Sequence, residues 1–555
     1  MSDNRQQVIV GVDVGTADVR AGVFDPGGVL LATARSPIAI WHEAGDIVEQ
    51  SSSDIWNACG RAVRAAMKIA DVPSSAVKGV GFDATCSLVA LDHAGNPLSV
   101  SPSGDPERNV IVWMDHRAIA EARRINETGD EVLRFVGGVI SPEMQTPKLL
   151  WLKRHLPATY DGARHFFDLA DYLSFRATGS TARSICTVTC KWTYLAHEAR
   201  WSASFFERIG LSELLAGNGA KIGSQIVEPG TALGRGLTGA AAIELGLAPG
   251  TPVGASLIDA HAGGIGTLGG RDRNGEPTVA LDRLAYIMGT SACIMATTAE
   301  PHFVPGIWGP YFSAMLPGLW LNEGGQSAAG AAIDHLVRCH PAFAEATAAA
   351  SAAEQGLLDF LERRIVAGCE NPADAALRAR EIHVLPEFLG NRSPYADPDA
   401  RAVIAGLELG NDIKSLERLF LAGLCGLGYG LADVVDAMRE RGIPCRMMVM
   451  SGGASRSSLV RRITADATGL AVALPMTTEP VLLGAAMLGA VAGRVHRSIP
   501  EAMALMSGIG RSTEPTRPHM AAFHAAKRRV HAQMRQFDRE SRSAMASAGI
   551  DRLVG

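Results

Sequence analysis

Several common features are missing from this sequence, and each absence narrows the reading. There is no C-x-x-C pair. The nine cysteines, an odd number, are scattered at 59, 86, 186, 190, 293, 339, 369, 425 and 445. That excludes a disulfide framework as the organising device, and reduced thiols in a cytoplasm are the simple expectation. Cys186 and Cys190 have no matching His/Cys pair near them in sequence, so a metal site is not expected there. There is no long Lys/Arg run, and the net charge is −5. Neither nucleic acid nor an anionic membrane is then expected as main partner. The longest apolar run near the end, residues 481–493, is too short to span a bilayer. Its small residues predict a buried helix. The first seven residues lead straight into a strand with no apolar signal segment or cleavage-like site.

What is present is ordinary for a large globular protein. The 555 residues are 47% hydrophobic and 20% charged, and the length favours about two to four domains. Val8–Val14 and Val19–Phe24 read as strands around a Gly15-Thr16 turn, followed by a third strand, Val29–Ser36. Ser53 is expected to cap a helix running through Ile69, with a buried strand at Val77–Ala84. Residues from about 105 to 250 read as an irregular insertion. After 280 the order repeats. Leu284–Met288 and Ala292–Thr297 flank Gly289-Thr290, Gly318–Asn322 is a third strand, and Ser327–Val337 is a helix. A long helix is expected at Ile413–Arg439. A strand–helix–strand unit follows, from Met447–Met450 through a helix beginning at Ser457 to Leu470–Leu474.

The repeat of an apolar strand ending in Gly-Thr carries the chemistry. Such a turn offers backbone N–H groups and a hydroxyl to phosphate oxygens. Two of them imply related halves facing each other across a nucleotide, and phosphoryl transfer needs mainly positioning and charge. Asp13, within Val-Asp-Val-Gly-Thr, reads either as a ligand to phosphate-bound Mg²⁺ or as a carboxylate bonded to turn amides. Ser451-Gly-Gly-Ala-Ser-Arg-Ser457 allows close approach to a helix N-terminus. Asp259, in Leu257-Ile-Asp-Ala-His261, reads either as a base receiving a substrate proton or as a helix cap. Thr85, Cys86, Asp115, Lys191, Glu323 and Gln326 are polar groups at the ends of apolar segments. Gly263, Gly264, Gly266, Gly269 and Gly270 mark a hinge-like boundary.

Taken together, these motifs resemble the FGGY carbohydrate kinase family, from Val8 to about Gly493. The segments Gly11-Val-Asp-Val-Gly-Thr16, Asp259-x-His-Ala-Gly263, Gly289-Thr-Ser291 and Ser451-Gly-Gly-Ala-Ser-Arg456 fall in the family's order. The resemblance implies an α/β fold of two ribonuclease-H-like domains, as in actin and hexokinase, with ligands in an interdomain cleft. It places a sugar-binding domain at 1–265, with the insertion at about 105–250, and a nucleotide-binding domain at 266–515. A helical appendage fills 516–555. The implied cofactors are ATP and Mg²⁺, with Asp13 near the metal and Thr16, Gly289 and Thr290 at the phosphates. Gly452 and Gly453, with Gln326 and Ser457, would form the rest of the nucleotide site. Asp259 would be the base and touch the sugar, together with Thr85, Cys86, Asp115, Lys191 and Glu323.

Gly81-Phe-Asp-Ala-Thr-Cys-Ser-Leu-Val89 is similar to the D-ribulokinase branch. Cys190-Lys-Trp192 and Asn322-Glu-Gly-Gly-Gln-Ser-Ala328 are similar to ribulokinases more broadly. The expected activity is therefore ATP-dependent phosphorylation of a pentulose, most simply D-ribulose to D-ribulose 5-phosphate. Ribitol or L-ribulose is the alternative substrate, and a nucleotide-switching, actin-like protein the alternative of another class. Family analogy implies a homodimer.

Overall fold

The computed structural model describes residues 7–43, 47–271, 280–516 and 518–547. Its first half is organised by a five-stranded sheet in the order Leu257–Ile258, Val77–Ala84, Val8–Val14, Asp18–Phe24, Leu30–Pro37. The first three strands are parallel and the last three form an antiparallel meander. Every residue of Val8–Val14 is buried, as a strand covered on both faces requires.

Helix Ser52–Ala70 covers one face with Ile55, Ala58, Ala62, Val63 and Ala66. Its cap is Ser51, whose side chain accepts from the Asp54 N–H, two residues before the expected position. Extended φ/ψ at Ser51 lets the helix gain a turn's start that side-chain pattern alone does not reveal.

The other face is covered by helix Pro480–Ala492, from the far end of the chain. This is the buried helix its small residues implied. The approach is backbone to backbone: a Cβ added at Gly81 would lie 1.9 Å from the Ala485 carbonyl oxygen.

The second half repeats the plan in a seven-stranded sheet. Its order is Trp308–Phe312, Trp320–Gln326, Ala292–Thr298, Arg283–Met288, Met447–Ser451, Ala471–Pro475, Ile509–Thr513. Arg283–Met288 is antiparallel to Ala292–Thr298 and parallel to Met447–Ser451, matching the relation of Val8–Val14 to its neighbours. Helix Ile413–Glu440 is the spine of this half. It is the one helix among the described residues long and apolar enough to cross a membrane, and 83% of its apolar window is buried inside the protein.

Several expectations shift. The strand placed at Gly318–Asn322 runs instead from Trp320 to Gln326. Gly318 holds a turn with φ 73°, and pairing with Ala292–Thr298 carries the strand through Glu323-Gly-Gly. The following helix starts at Gly330 rather than Ser327, because the N–H groups of Ala329 and Gly330 bond the carbonyls of Thr290 and Gly289. The expected insertion is joined to the first half by a sheet. Val110–Ile111 and His165–Asp168 share a sheet with Trp41–Glu43, Ile47–Gln50 and Leu88–Leu91.

The hinge reading of the glycines is also corrected. Gly263, Gly264 and Gly266 lie inside helix Asp259–Leu268, which packs on Pro480–Ala492. A Cβ at Gly266 would sit 1.9 Å from the Pro480 carbonyl oxygen, so these glycines permit helix contact rather than bending. The part of the expected boundary at 272–279 lies outside the described residues, as do the start of the chain, Met1–Gln6, and residues 548–555. Within the described part of the C-terminal segment, helix Pro518–Ser547 buries Met520, His524, His531 and Met534. Lys527 Nζ donates to the carbonyls of Ala379 (2.6 Å) and Ile382 (2.5 Å). This helix packs against the second half.

Candidate active site

The site forms where parallel strands end, the usual place for ligands in such sheets. Asp13 lies in register with Asp83 on the neighbouring strand, and Leu257 pairs with Asp83 on its other side. Asp259 follows that third strand as the first residue of helix Asp259–Leu268. Three carboxylates thus converge at one edge. Asp13 is paired with Arg20, its cross-strand partner, which also reaches Glu479 at 3.0 Å. Neither oxygen of fully buried Asp83 finds a donor. Burial, and then Asp13 beside it, pushes the Asp83 carboxyl well above the usual carboxylate range. Asp259 Oδ1 accepts the Ala260 N–H at 2.7 Å. Its carboxyl is pushed up to about 6, by burial first and Asp13 second.

Three hard oxygen donors, one without a partner, fit a divalent cation bound to phosphates. Asp83 is the residue that sequence reading missed. It stood inside the quoted Gly81-Phe-Asp-Ala-Thr-Cys-Ser segment, but only the sheet register puts it beside Asp13.

On the facing half, strands Arg283–Met288 and Met447–Ser451 are parallel neighbours, with Ile287 opposite Ser451. The turns that follow them are therefore side by side. Gly289 and Thr290 are exposed at one, Gly452 and Gly453 at the other. Gly452 needs its glycine twice over. Its φ is 89°, and a Cβ would lie 2.4 Å from the Met288 carbonyl oxygen. Gly453 has open space where a Cβ would stand, leaving its backbone accessible to a ligand. The Thr267 hydroxyl donates to Ser451 Oγ at 3.0 Å, tying the helix headed by Asp259 to this turn.

A second cluster sits deeper. Lys191 ends helix Ile185–Lys191, and its Nζ lies 4.5 Å from the centroid of the Trp308 ring. Arg392 covers the same ring at 5.1 Å and reaches the Glu143 carboxylate at 3.3 Å. Glu323 Oε2 is 3.2 Å from His261 Nε2. Burial works against the Glu323 charge, but the His261 hydrogen bond and then Lys191 hold its carboxyl down to about 2. Burial likewise opposes the charge on Lys191, yet Cys86 and Glu323 keep its ammonium above the usual range. Burial pushes the Cys86 thiol up to about 12. Thr85 is buried beside it, its hydroxyl 3.2 Å from that of Ser87. Donors and acceptors around an aromatic wall suit a polyol. Glu143, Arg392 and Trp308 were not singled out from sequence, because nothing local marks them.

Other expected site residues are otherwise engaged. Asp115 is fully buried, and its oxygens accept from the Arg117 guanidinium and from the Val48 and Arg117 N–H groups. It anchors Arg117 rather than turning toward the other groups. Gln326 accepts from the Tyr286 hydroxyl and donates to the Leu427 carbonyl, so both ends of its amide are used. Ser457 caps helix Ser458–Thr468 by accepting the Val460 N–H. The Thr16 hydroxyl accepts the Trp113 indole N–H at 3.0 Å.

Two facing halves, a carboxylate cluster on one and paired glycine turns on the other define a sugar-kinase architecture. Residues 8–266 match the N-terminal domain, and residues 284–493 the C-terminal domain, of the FGGY family of carbohydrate kinases. The chain belongs to that family and is an ATP-dependent carbohydrate kinase. It is 47% identical over 544 residues to an FGGY carbohydrate kinase domain-containing protein from Danio rerio, covering 97% of this chain and 98% of that one. It is 36% identical over 517 residues to a D-ribulokinase from Saccharomyces cerevisiae, covering 88% and 72% respectively. Among solved structures, a ligand-bound xylulose kinase from Lactobacillus acidophilus shares the fold with a TM-score of 0.78. Its identity is 18%, and the match covers 96% of this chain and 98% of that one.

Proposed function

We propose that the protein transfers the γ-phosphoryl group of ATP to the terminal hydroxyl of a pentulose, D-ribulose in the first instance. The product would be D-ribulose 5-phosphate. The observation that carries this reading is Asp259 at the end of the strand beside Asp83, its carboxyl under the charges of Asp13 and Glu323 and pushed up to about 6, by burial first. Such a group accepts a hydroxyl proton without being too weak a base to hold it. As the proton passes to Asp259, the sugar oxygen forms its bond to the γ-phosphorus and the bond to the ADP oxygen breaks. Mg²⁺, when bound, supplies positive charge to the phosphate oxygens, and Asp13 with Asp83 would hold it.

Lys191 and Glu323 would orient sugar hydroxyls, with Thr85 and Cys86 closing the pocket. The turns at Gly289-Thr290 and Gly452-Gly453 would take the phosphates and the adenosine. The preference for D-ribulose rests on the D-ribulokinase relative and on Thr85-Cys86-Ser87. The same reading carries a cytoplasmic homodimer.

The test is ADP release against D-ribulose, L-ribulose, D-xylulose, ribitol and glycerol. D-Ribulose should give the highest kcat/KM. A clear preference for ribitol or L-ribulose would replace the substrate, and release indifferent to every sugar would remove the pentulose reading.

A further inference from the structure

We propose that Cys186, Cys190 and His261 form a buried zinc site that fastens the helix ending in Lys191 to the helix beginning with Asp259. Cys186 and Cys190 are four residues apart on helix Ile185–Lys191, so both sulfurs leave the same face one turn apart. His261 stands two residues into helix Asp259–Leu268. All three side chains are fully buried. Cys186 Sγ is 3.0 Å from His261 Nδ1, and the three ligand atoms lie within 4.8 Å of one another. Zinc bonds of about 2.3 Å to sulfur and 2.0–2.1 Å to nitrogen put tetrahedral ligand atoms roughly 3.5–3.8 Å apart. Changes of about an ångström or less in these separations would bring the present arrangement to that one.

The surroundings are those of a metal site as well. The other ring nitrogen of His261 meets Glu323 Oε2 at 3.2 Å. A carboxylate on the far nitrogen sets the tautomer and aims the near one, as it does for zinc-bound histidines. Two thiolates would balance the double charge of the ion, so the buried site would be neutral overall. Each thiol would release its proton to solvent on binding. Two sulfurs and an imidazole also favour zinc over magnesium or calcium, which take oxygen ligands. This ion would therefore be distinct from the one at Asp13 and Asp83. Three protein ligands leave a fourth position for water. The Tyr311 hydroxyl, buried and without a hydrogen-bond partner, is near enough to Cys190 for the two to interact electrostatically. Such a water would offer it one.

The test uses full-length protein, purified under reducing conditions without chelator from cells supplied with zinc sulfate. Elemental analysis after dialysis should find about one zinc per chain. Cys190→Ser, and Cys186→Ser with Cys190→Ser, should lose most of it while keeping the circular dichroism of the parent. Replacing zinc by Co²⁺ in the parent protein should add thiolate-to-cobalt charge-transfer absorption in the near ultraviolet. An ion held only by the carboxylate cluster has no such band. Folded, reduced parent protein that carries under a tenth of a zinc and shows no thiolate–cobalt band would overturn the site, whatever the variants do.

Discussion

Asp83 and Asp13 occupy paired positions on adjacent parallel strands, both buried, and no donor reaches Asp83. Two carboxyls in that position repel when both are charged, so the pair costs stability that a bound cation would return. Asp83→Asn should therefore stabilise the ligand-free protein, by about 0.5–2 kcal/mol. It should also raise the Mg²⁺ concentration needed for half-maximal rate. Asp13→Ala should impair the use of Mg·ATP with sugar binding little changed. Thermal melts and Mg²⁺ titrations of the rate measure both. A destabilised Asp83→Asn with unaltered Mg²⁺ dependence would detach this pair from the metal.

Asp259→Asn should lower kcat by at least ~10²-fold, the scale of losing a general base. The amide keeps the shape and can still accept the Ala260 N–H, so KM for sugar and ATP should move little. Steady-state kinetics decide the matter, and turnover like that of the parent would remove Asp259 from the chemistry.

Lys191→Ala and Glu323→Ala should raise KM for the sugar far more than KM for ATP. A hydrogen bond to a charged partner is worth on the order of 1.5–3 kcal/mol, or roughly tenfold to a hundredfold in affinity. A variant that chiefly weakens ATP would place that side chain elsewhere in the mechanism.

Arg392 and Glu143 come from opposite halves of the chain and meet at 3.3 Å. Burial opposes charge on Glu143, yet Arg392 and then His116 hold its carboxyl down to about 2. The pair joins the two halves beside the Trp308 ring, which Arg392 and Lys191 both cover. Sugar and a non-hydrolysable ATP analogue together should give a more compact particle in solution scattering, and Arg392→Ala should reduce that compaction. An unchanged particle size in the parent under saturating ligands would rule out closure.

Gly266→Ala should destabilise the protein by about 1–3 kcal/mol, the usual range for overpacking. Its Cβ would meet the Pro480 carbonyl oxygen at 1.9 Å, and backbone cannot step aside as a side chain can. Chemical denaturation measures this. A neutral substitution would restore the hinge reading of these glycines.

Much of the architecture was legible because its signals are local. Val8–Val14 and Val77–Ala84 coincide with their expected bounds, since continuous apolar runs between turns have few other fates. Strand Trp320–Gln326 was misplaced because its glycines look like a turn until Ala292–Thr298 pairs with them. Asp259, Lys191 and Glu323 were singled out by motif order, and their roles are those proposed above. Asp115, in the same kind of position, turned out to be neutralised by Arg117, two residues along. Nothing in Trp-Met-Asp-His-Arg says whether the arginine folds back or points away.

By itself, then, the sequence determined the repeated strand–Gly-Thr plan, the α/β class and the short motifs to which phosphoryl chemistry is assigned by proposal. Apolar periodicity and short motifs are properties of neighbouring residues, so they survive without a fold. Only the tertiary structure decided which groups share a site. Asp83 joins Asp13 through sheet register, Arg392 reaches Glu143 across 249 positions, and His261 meets Cys186 across 75. Contacts of that kind depend on how two sheets and the helices between them pack. Packing joins residues at separations that no local pattern encodes.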